Sequence, residues 1–356
     1  MTLAAAVAAL VVSMQAPPDP AGPGPERDAP RPTDAGRSAQ NAPIADETDE
    51  RWRESVERGL EWLVRSQNAD GSFGRGRVSS NAGIVSLCAL ALMADGNLPG
   101  RGRHGAAVGR ALEYVLKHVT ESGLVSAEGG NGPMYGHGFA ALFLGEIYGM
   151  SPEDTRVRDA LSRAIRLIEN SQNSEGGWRY NPVPDDADVS VTICQVMALR
   201  SARNAGIKVP KQVIDGAVRY VRECQNPDGG FRYMRTTGTS GWPRTAAGVA
   251  SLFYAGVYED DSIPRGLAYL RRVAMPDGSG PMVQAYYFYG HYYAQAMYLA
   301  GGDWWKDWWP RIRSELIQHQ NGDGSWSDPQ WGQPLGTSMA LIVMQMPKRY
   351  LPIFQK

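Results

Sequence analysis

From about residue 50 onward the chain alternates two kinds of apolar pattern. The first is amphipathic. In 211–225, Val213, Ile214, Ala217, Val218 and Val221 fall at helical spacing, while Lys211, Asp215, Arg219 and Arg222 take the other positions. Segments 52–67 and 153–172 have the same character. The second pattern is apolar nearly all round and covers 81–94, 139–148, 188–202, 245–258, 286–300 and 337–346. A helix apolar on every face is buried on every face. The alternation therefore predicts an all-α chain in which half-exposed outer helices alternate with enclosed inner ones.

A turn recurs between the two patterns. It reads Gln67-Asn68-Ala69-Asp70-Gly71-Ser72-Phe73, Gln172-Asn173-Ser174-Glu175-Gly176-Gly177-Trp178, Gln225-Asn226-Pro227-Asp228-Gly229-Gly230-Phe231 and Gln320-Asn321-Gly322-Asp323-Gly324-Ser325-Trp326. Two of the three intervals are about double the third, which places weakened copies at 119–124 and 275–279. Asn and Gly accept a left-handed backbone, and Pro227 stops the preceding helix. Six units of about 50 residues then fill 51–352, a period that means one supersecondary unit stacked or closed on itself. The expected fold is a closed (α/α)6 toroid over 49–356 with a central cavity. An open right-handed solenoid is the alternative, but it needs polar end caps that the sequence lacks. The turn acids Asp70, Asp228 and Asp323 repeat with the turns and are read as structural.

The N-terminal part differs. Residues 3–12 are an unbroken apolar run, too short to span a bilayer but suited to a signal-peptide core. The reading is a signal peptide or short anchor over 1–16, a disordered Pro/Gly/Ala-rich linker over 17–48, and an extracytoplasmic location: periplasmic, secreted or membrane-associated. Lys plus Arg is 36 and Asp plus Glu is 37. Without a basic excess to neutralise phosphates, no nucleic-acid partner is expected. Cys88, Cys194 and Cys224 make neither a paired framework nor a Cys-based zinc motif.

The turns resemble the QW motif, in which a Gln and an aromatic flank a Gly-containing turn. It occurs in squalene-hopene cyclases and other class II terpene cyclases, and protein prenyltransferase β subunits share the toroid. Bacterial prenyltransferase and squalene oxidase repeat proteins look most similar. Met134-Tyr135-Gly136-His137-Gly138-Phe139, Gly176-Gly177-Trp178-Arg179-Tyr180, Asp188-Val189-Ser190-Val191-Thr192 and Tyr350-Leu351-Pro352 carry that likeness.

The resemblance implies a site at the heads of the inner helices. Class II cyclases begin cation chemistry there with a D-x-D-D motif, whose middle acid must be neutral to protonate an alkene. In register, Asp188 takes the first acidic place, Ser190 the middle one and Val191 the last. A serine hydroxyl cannot protonate an alkene. Asp185-Asp186-Ala187-Asp188 is a shifted alternative, but it follows Pro182 and Pro184 in what reads as loop. Asp188 also fits the N-cap of the helix that follows. Prenyltransferases hold zinc with an Asp-x-Cys pair and a His. No Asp-x-Cys occurs, and Asp188 and Cys194 stand roughly 240° apart around a helix. No metal and no cofactor is expected.

His137 is the second catalytic candidate, because flanking glycines leave its ring uncovered. Tyr287 and His291 share one face of the fifth inner helix, and Tyr292 lies on the next. With Tyr135, Thr192, Trp242, Arg244 and Thr245 they are expected to line the cavity or its mouth. Aromatic faces there would cradle an apolar chain or stabilise a cation. Packing between the rings, with hydroxyls satisfied at the rim, is the alternative. Trp304, Trp305, Trp308 and Trp309 on an outer helix point to packing, a partner surface or peripheral membrane contact.

The expected function is a terpenoid cyclase-like protein that holds an apolar isoprenoid or lipid, its catalysis in question because of Ser190. The alternative is a non-catalytic toroid that binds a protein, lipid or glycan outside the cytoplasm. A glycan-active barrel would need two carboxylates facing across the cavity. The Gly-Cys-Gly-Glu-Gln run of thioester domains is absent.

Overall fold

The computed structural model describes residues 49–75, 81–127, 132–276 and 292–355. The signal-peptide and linker assignments lie outside them. The helices are α1 (Glu50–Ser66), α2 (Ala82–Met93), α3 (Gly105–Lys117), α4 (Met134–Met150), α5 (Thr155–Ser171), α6 (Val189–Asn204), α7 (Lys211–Glu223), α8 (Trp242–Tyr254), α9 (Ser262–Val273), α10 (292–300), α11 (Gly302–Gln318) and α12 (Gly332–Gln345). Odd-numbered helices from α1 to α11 are the amphipathic ones and even-numbered helices the enclosed ones. Among the described residues the only β pairings are isolated bridges at turns and loops.

The inner helices pack side by side in the order α12, α2, α4, α6, α8. Trp242 of α8 lies 6.2 Å from Tyr293 of α10, which places α10 next in the ring. Each Gln of the repeat ties one unit to the next. Its amide donates to a carbonyl of its own turn and to one in the following outer helix or just before it: Gln67 to Gly71 and Ala107, Gln172 to Gly176 and Val213, Gln225 to Gly229 and Ser262. Gln320 does the same to Gly324 and to Ser55 of α1, at 2.8 Å each. The last unit therefore caps the first, and the toroid is closed. The Trp52 indole adds a bond across this seam to Met344 O.

The weakened turn at 119–124 has the geometry of the others without their sequence. Thr120 and Gly123 bond as Asn68 and Gly71 do. Its glycine abuts Arg163 O as Gly71 abuts Arg110 O. The copy at 275–279 falls partly outside the described residues.

Three inner helices begin earlier than their apolar runs suggest, α8 by three residues at Trp242. Helix α4 starts at Met134 rather than near Phe139, and α12 at Gly332 rather than Thr337. Glycine costs about 1 kcal/mol in a helix interior, but here a side chain would collide. A Cβ on Gly138 would lie 2.7 Å from Cys194 Cβ, and one on Gly83 would lie 2.7 Å from Gly136 Cα. Close approach of neighbouring inner helices thus selects glycine and extends α4 through it. On α11, Trp305, Trp308 and Trp309 are buried, with Trp308 against Tyr293 and Trp305 against Tyr298. Trp304 is partly buried beneath the Arg271 guanidinium. Trp305, Trp308 and Trp309 thus pack between the two rings. No helix among the described residues is long and apolar enough to cross a membrane.

Candidate functional site

The N-terminal rim of the inner ring carries two long loops, 179–187 before α6 and 232–240 before α8. Each starts with an aromatic buried in the turn, Trp178 or Phe231, followed by an Arg-Tyr pair. The pairs meet. Tyr180 and Tyr233 are joined through their hydroxyls, and Tyr135 from the first turn of α4 lies 6.0 Å from the Tyr180 ring. The Arg179 guanidinium sits 5.1 Å from the Tyr180 ring centre and 5.9 Å from that of Tyr233, and pairs with Asp186.

Asp188 lies at the heart of this cluster with no exposed surface. It caps α6: its Oδ1 accepts from Val191 N at 2.9 Å. Its backbone is fixed by bonds to Trp178 O and, through Val189, to Tyr233 O. The second oxygen, Oδ2, accepts no well-formed hydrogen bond: the Arg179 Nε stands 3.9 Å away, and the Tyr233 hydroxyl is nearby but joined to Tyr180. Burial pushes the carboxyl up to about 7, against the opposing pull of the Val191 amide, Arg179 and the nearby Tyr233 hydroxyl. The cap reading of Asp188 is therefore realised, with one oxygen left over.

Several other candidates have structural jobs. Thr192 Oγ1 accepts from Trp178 N, Thr245 Oγ1 from Phe231 N and Thr337 Oγ1 from Trp326 N. One inner-helix threonine thus anchors the turn aromatic in three units. His137 holds the same place in the second unit. Its Nδ1 accepts from Val125 N at 3.1 Å, and its Nε2 faces Ala164 O at 3.3 Å, which fixes the proton on Nε2. Burial pulls the ring down to about 4, so it is neutral. The flanking glycines do not uncover this ring, which is buried between Val125 and Ala164. We expect His137→Ala to cost about 2–4 kcal/mol, an orphaned amide plus a cavity. His137→Thr should recover much of that in thermal unfolding, because threonine does this work elsewhere. A His137→Thr protein no more stable than His137→Ala would refute the equivalence.

Tyr292 is fully buried, and its hydroxyl meets Cys194 Sγ at 3.1 Å. Helix α8 stands between α6 and α10 in the ring, so this pair crosses the inside. Cys194 is six residues below Asp188, roughly 9 Å at 1.5 Å per residue. Tyr292 is thus a floor beneath the rim on this side. Burial raises the Cys194 thiol to about 12, which keeps it protonated and a poor metal ligand. Among the described residues no three His, Cys, Asp or Glu side chains cluster to hold a metal ion. Trp242 is half-buried beside Tyr293, and Arg244 reaches Thr239 O at the mouth. Tyr287 and His291 lie outside the described residues.

Sequence reasoning missed Arg179, Tyr180 and Tyr233 as site residues. A signal existed: Gly176-Gly177-Trp178-Arg179-Tyr180 and Gly229-Gly230-Phe231-Arg232-Tyr233 carry Arg-Tyr in the same register, and the other quoted turns do not.

With this geometry in hand, the relatives are informative. The family model of the prenyltransferase alpha-alpha toroid domain matches residues 37–132 and 111–280. A drimenyl diphosphate synthase of Streptomyces showdoensis is 27% identical over 186 residues, covering 51% of this chain and 33% of that enzyme. The chain thus spans about a third of the length of this curated relative. A variant of the type II terpene cyclase of Scytonema, bound to its product merosterolic acid A, superposes with a TM-score of 0.56 at 16% identity, covering 83% of this chain and 96% of that one. A family 76 glycoside hydrolase from Bacteroides thetaiotaomicron does so with a TM-score of 0.63 at 9% identity, covering 84% and 78%. Such structural likeness speaks for the fold alone. The family match spans more than half of the sequence, and the chain belongs to the prenyltransferase alpha-alpha toroid domain family.

Proposed function

We propose that this toroid takes an apolar isoprenoid at its N-terminal rim and that Asp188 donates the proton that starts its cyclisation. The observation that carries the proposal is the carboxyl itself. An acid protonates an alkene only when it is neutral and desolvated. Asp188 is enclosed and pushed up to about 7, and Oδ2 is free to carry the proton. Oδ1 stays on the Val191 amide, so the acid is held in one orientation. The faces of Tyr135, Tyr180 and Tyr233 supply the aromatic surface that a developing carbocation needs. Asp188 does from the first motif position what Ser190 cannot do from the middle one.

The closed rim must open for this chemistry. The Tyr233 hydroxyl stands by Asp188 and is joined to that of Tyr180, and separating the two tyrosines would admit an alkene to Oδ2. The names of the terpene cyclase and diphosphate synthase relatives support an isoprenoid as the ligand class. Glycan hydrolysis is supported less well, because it needs two carboxyls facing each other. The buried Glu146 bonds Ser201, roughly 20 Å along α6 from Asp188.

The test is to incubate the purified protein with geranylgeraniol, farnesyl diphosphate and geranylgeranyl diphosphate, and to analyse extracts by mass spectrometry. A cyclised product from the wild type, absent with Asp188→Asn, is the expected result. Linear isoprenoids recovered unchanged, with no isoprenoid co-purifying from the native host, would overturn the reading.

A further inference from the structure

At the opposite end of the inner ring, segment 349–355 packs on the inner helices. After α12 the backbone turns at Arg349, whose φ of 56° is the single left-handed non-glycine among the described residues. The segment then forms a 3-10 turn, Pro352–Phe354, packed on α6 and α4. Leu351, Ile353 and Phe354 are buried there. A non-glycine residue keeps a strained backbone only where its surroundings over-determine it. Here the Arg349 Nε donates to Tyr298 Oη at 2.9 Å, and Gln355 Nε2 donates back to Arg349 O.

The anchor of this tail is a carboxyl that no step above uses. Glu146 of α4 is almost fully buried. Ile353 N donates to its Oε2 at 3.0 Å, and Ser201 Oγ lies 2.7 Å from its Oε1. This setting suits a neutral acid. The acid's O–H can donate to Ser201 Oγ, and Ser201 can donate onward to Leu142 O at 3.3 Å, while the carbonyl oxygen keeps the Ile353 amide. Tyr254 of α8 is near enough to feel its charge; Arg200 of α6, Tyr258 and Tyr298 of α10 stand about Tyr254, and Arg349 of the tail stands by Tyr298. Lys348 is taken by Asp95. Tyr254 and Tyr298 are raised by burial and stay neutral. The two bonds to Glu146 thus come from groups without charge.

We propose that the C-terminal segment is a proton-linked stopper, which docks on neutral Glu146 to close this end of the ring and is released when Glu146 ionises. The direction follows from linkage. Undocked, Glu146 meets water and titrates near its usual 4.5; docked, burial pushes it to about 7. Docking is therefore strongest below the lower value, weakens as pH rises between the two, and has lost this contribution above the upper one. Each unit in that interval is tenfold in the docking equilibrium. Arg349 is the hinge, because its strained backbone relaxes once the tail lifts.

Hydrogen–deuterium exchange of 349–355 between pH 5 and pH 8, corrected for intrinsic rates, reads the docking directly. In the wild type we expect protection of the tail to fall about a hundredfold over that range, with α2 unchanged. Glu146→Gln copies the neutral acid, with its carbonyl on the Ile353 amide and its NH2 on Ser201. It should hold the tail at pH 8 as tightly as at pH 5. A flat wild-type profile overturns the proposal, and that arm stands alone if the variant fails to fold. A Glu146→Gln profile that falls like the wild type's overturns it equally.

Discussion

A Gly176→Ala protein is expected to lose about 2–5 kcal/mol of stability, because the added methyl makes the tightest backbone contact of any glycine among the described residues. Two costs add. Gly176 has φ +102°, beyond the left-handed well, where an L residue pays roughly 1–2 kcal/mol. A Cβ there would also stand 2.1 Å from Gly216 O and 2.4 Å from Gly216 C, both in the backbone of α7. Backbone cannot rotate aside as a side-chain tip can, so turn and helix must separate, at about 1–3 kcal/mol. The separation also strains the Gln172 bond to Val213 that joins the two units. Against a total of about 5–15 kcal/mol, this is a fall in Tm of roughly 10 °C. Gly206→Ala is the control. It has φ +85° but nothing within 4 Å of the added carbon, so it isolates the backbone cost. Equal melting temperatures for the two variants would show that contact between units contributes nothing.

That contact explains why the fold could be read so fully from the sequence. Gln, Gly and the aromatic of each turn hold one unit to the next, so one requirement is written several times and shows as a repeat. Closure of the ring was expected from the missing polar end caps, and the Gln320 bond to Ser55 O carries it. The turn at 119–124 shows the limit. Its geometry rests on backbone bonds and one glycine, so the other letters of the repeat are not needed there.

The site was less legible because its residues each occur once or twice and do double duty. His137 reads as a catalytic histidine in isolation, and only the threonines at the same place in other units reveal an anchor. Thr192 and Thr245 point at the cavity by sequence position, yet their hydroxyls turn back to Trp178 N and Phe231 N. Arg179 and Tyr233 are separated along the chain, and only folding brings them over one carboxyl. Asp188 was legible as a cap, and the sequence also offered it as an acid. The unpartnered oxygen that distinguishes the roles depends on burial, which no spacing encodes.

Asp188→Asn is the decisive variant, because its two expected effects run in opposite directions. Consider stability first. The folded value of about 7 lies above the usual 3.8, so the folded state binds a proton that the unfolded chain has released. The group's contribution is full below the lower value, falls as pH rises between the two, and stays lost above about 7. Asparagine carries no charge at any pH and keeps the cap through its own oxygen. The variant should therefore be more stable than the wild type at pH 8, on the order of 2 kcal/mol once the weakened Arg179 contact is allowed for, and no more stable near pH 4. Turnover moves the other way. Without a transferable proton it should fall by about a thousandfold or more, and wild-type turnover itself should decline above pH 7 as Asp188 ionises. A protein that is firmer yet inactive separates chemistry from folding, which an alanine at this buried cap cannot do. Turnover within a few-fold of wild type would remove Asp188 from the reaction. Lower stability at pH 8 would mean that Asp188 is an ionised partner of Arg179, and an ionised carboxylate has no proton to give.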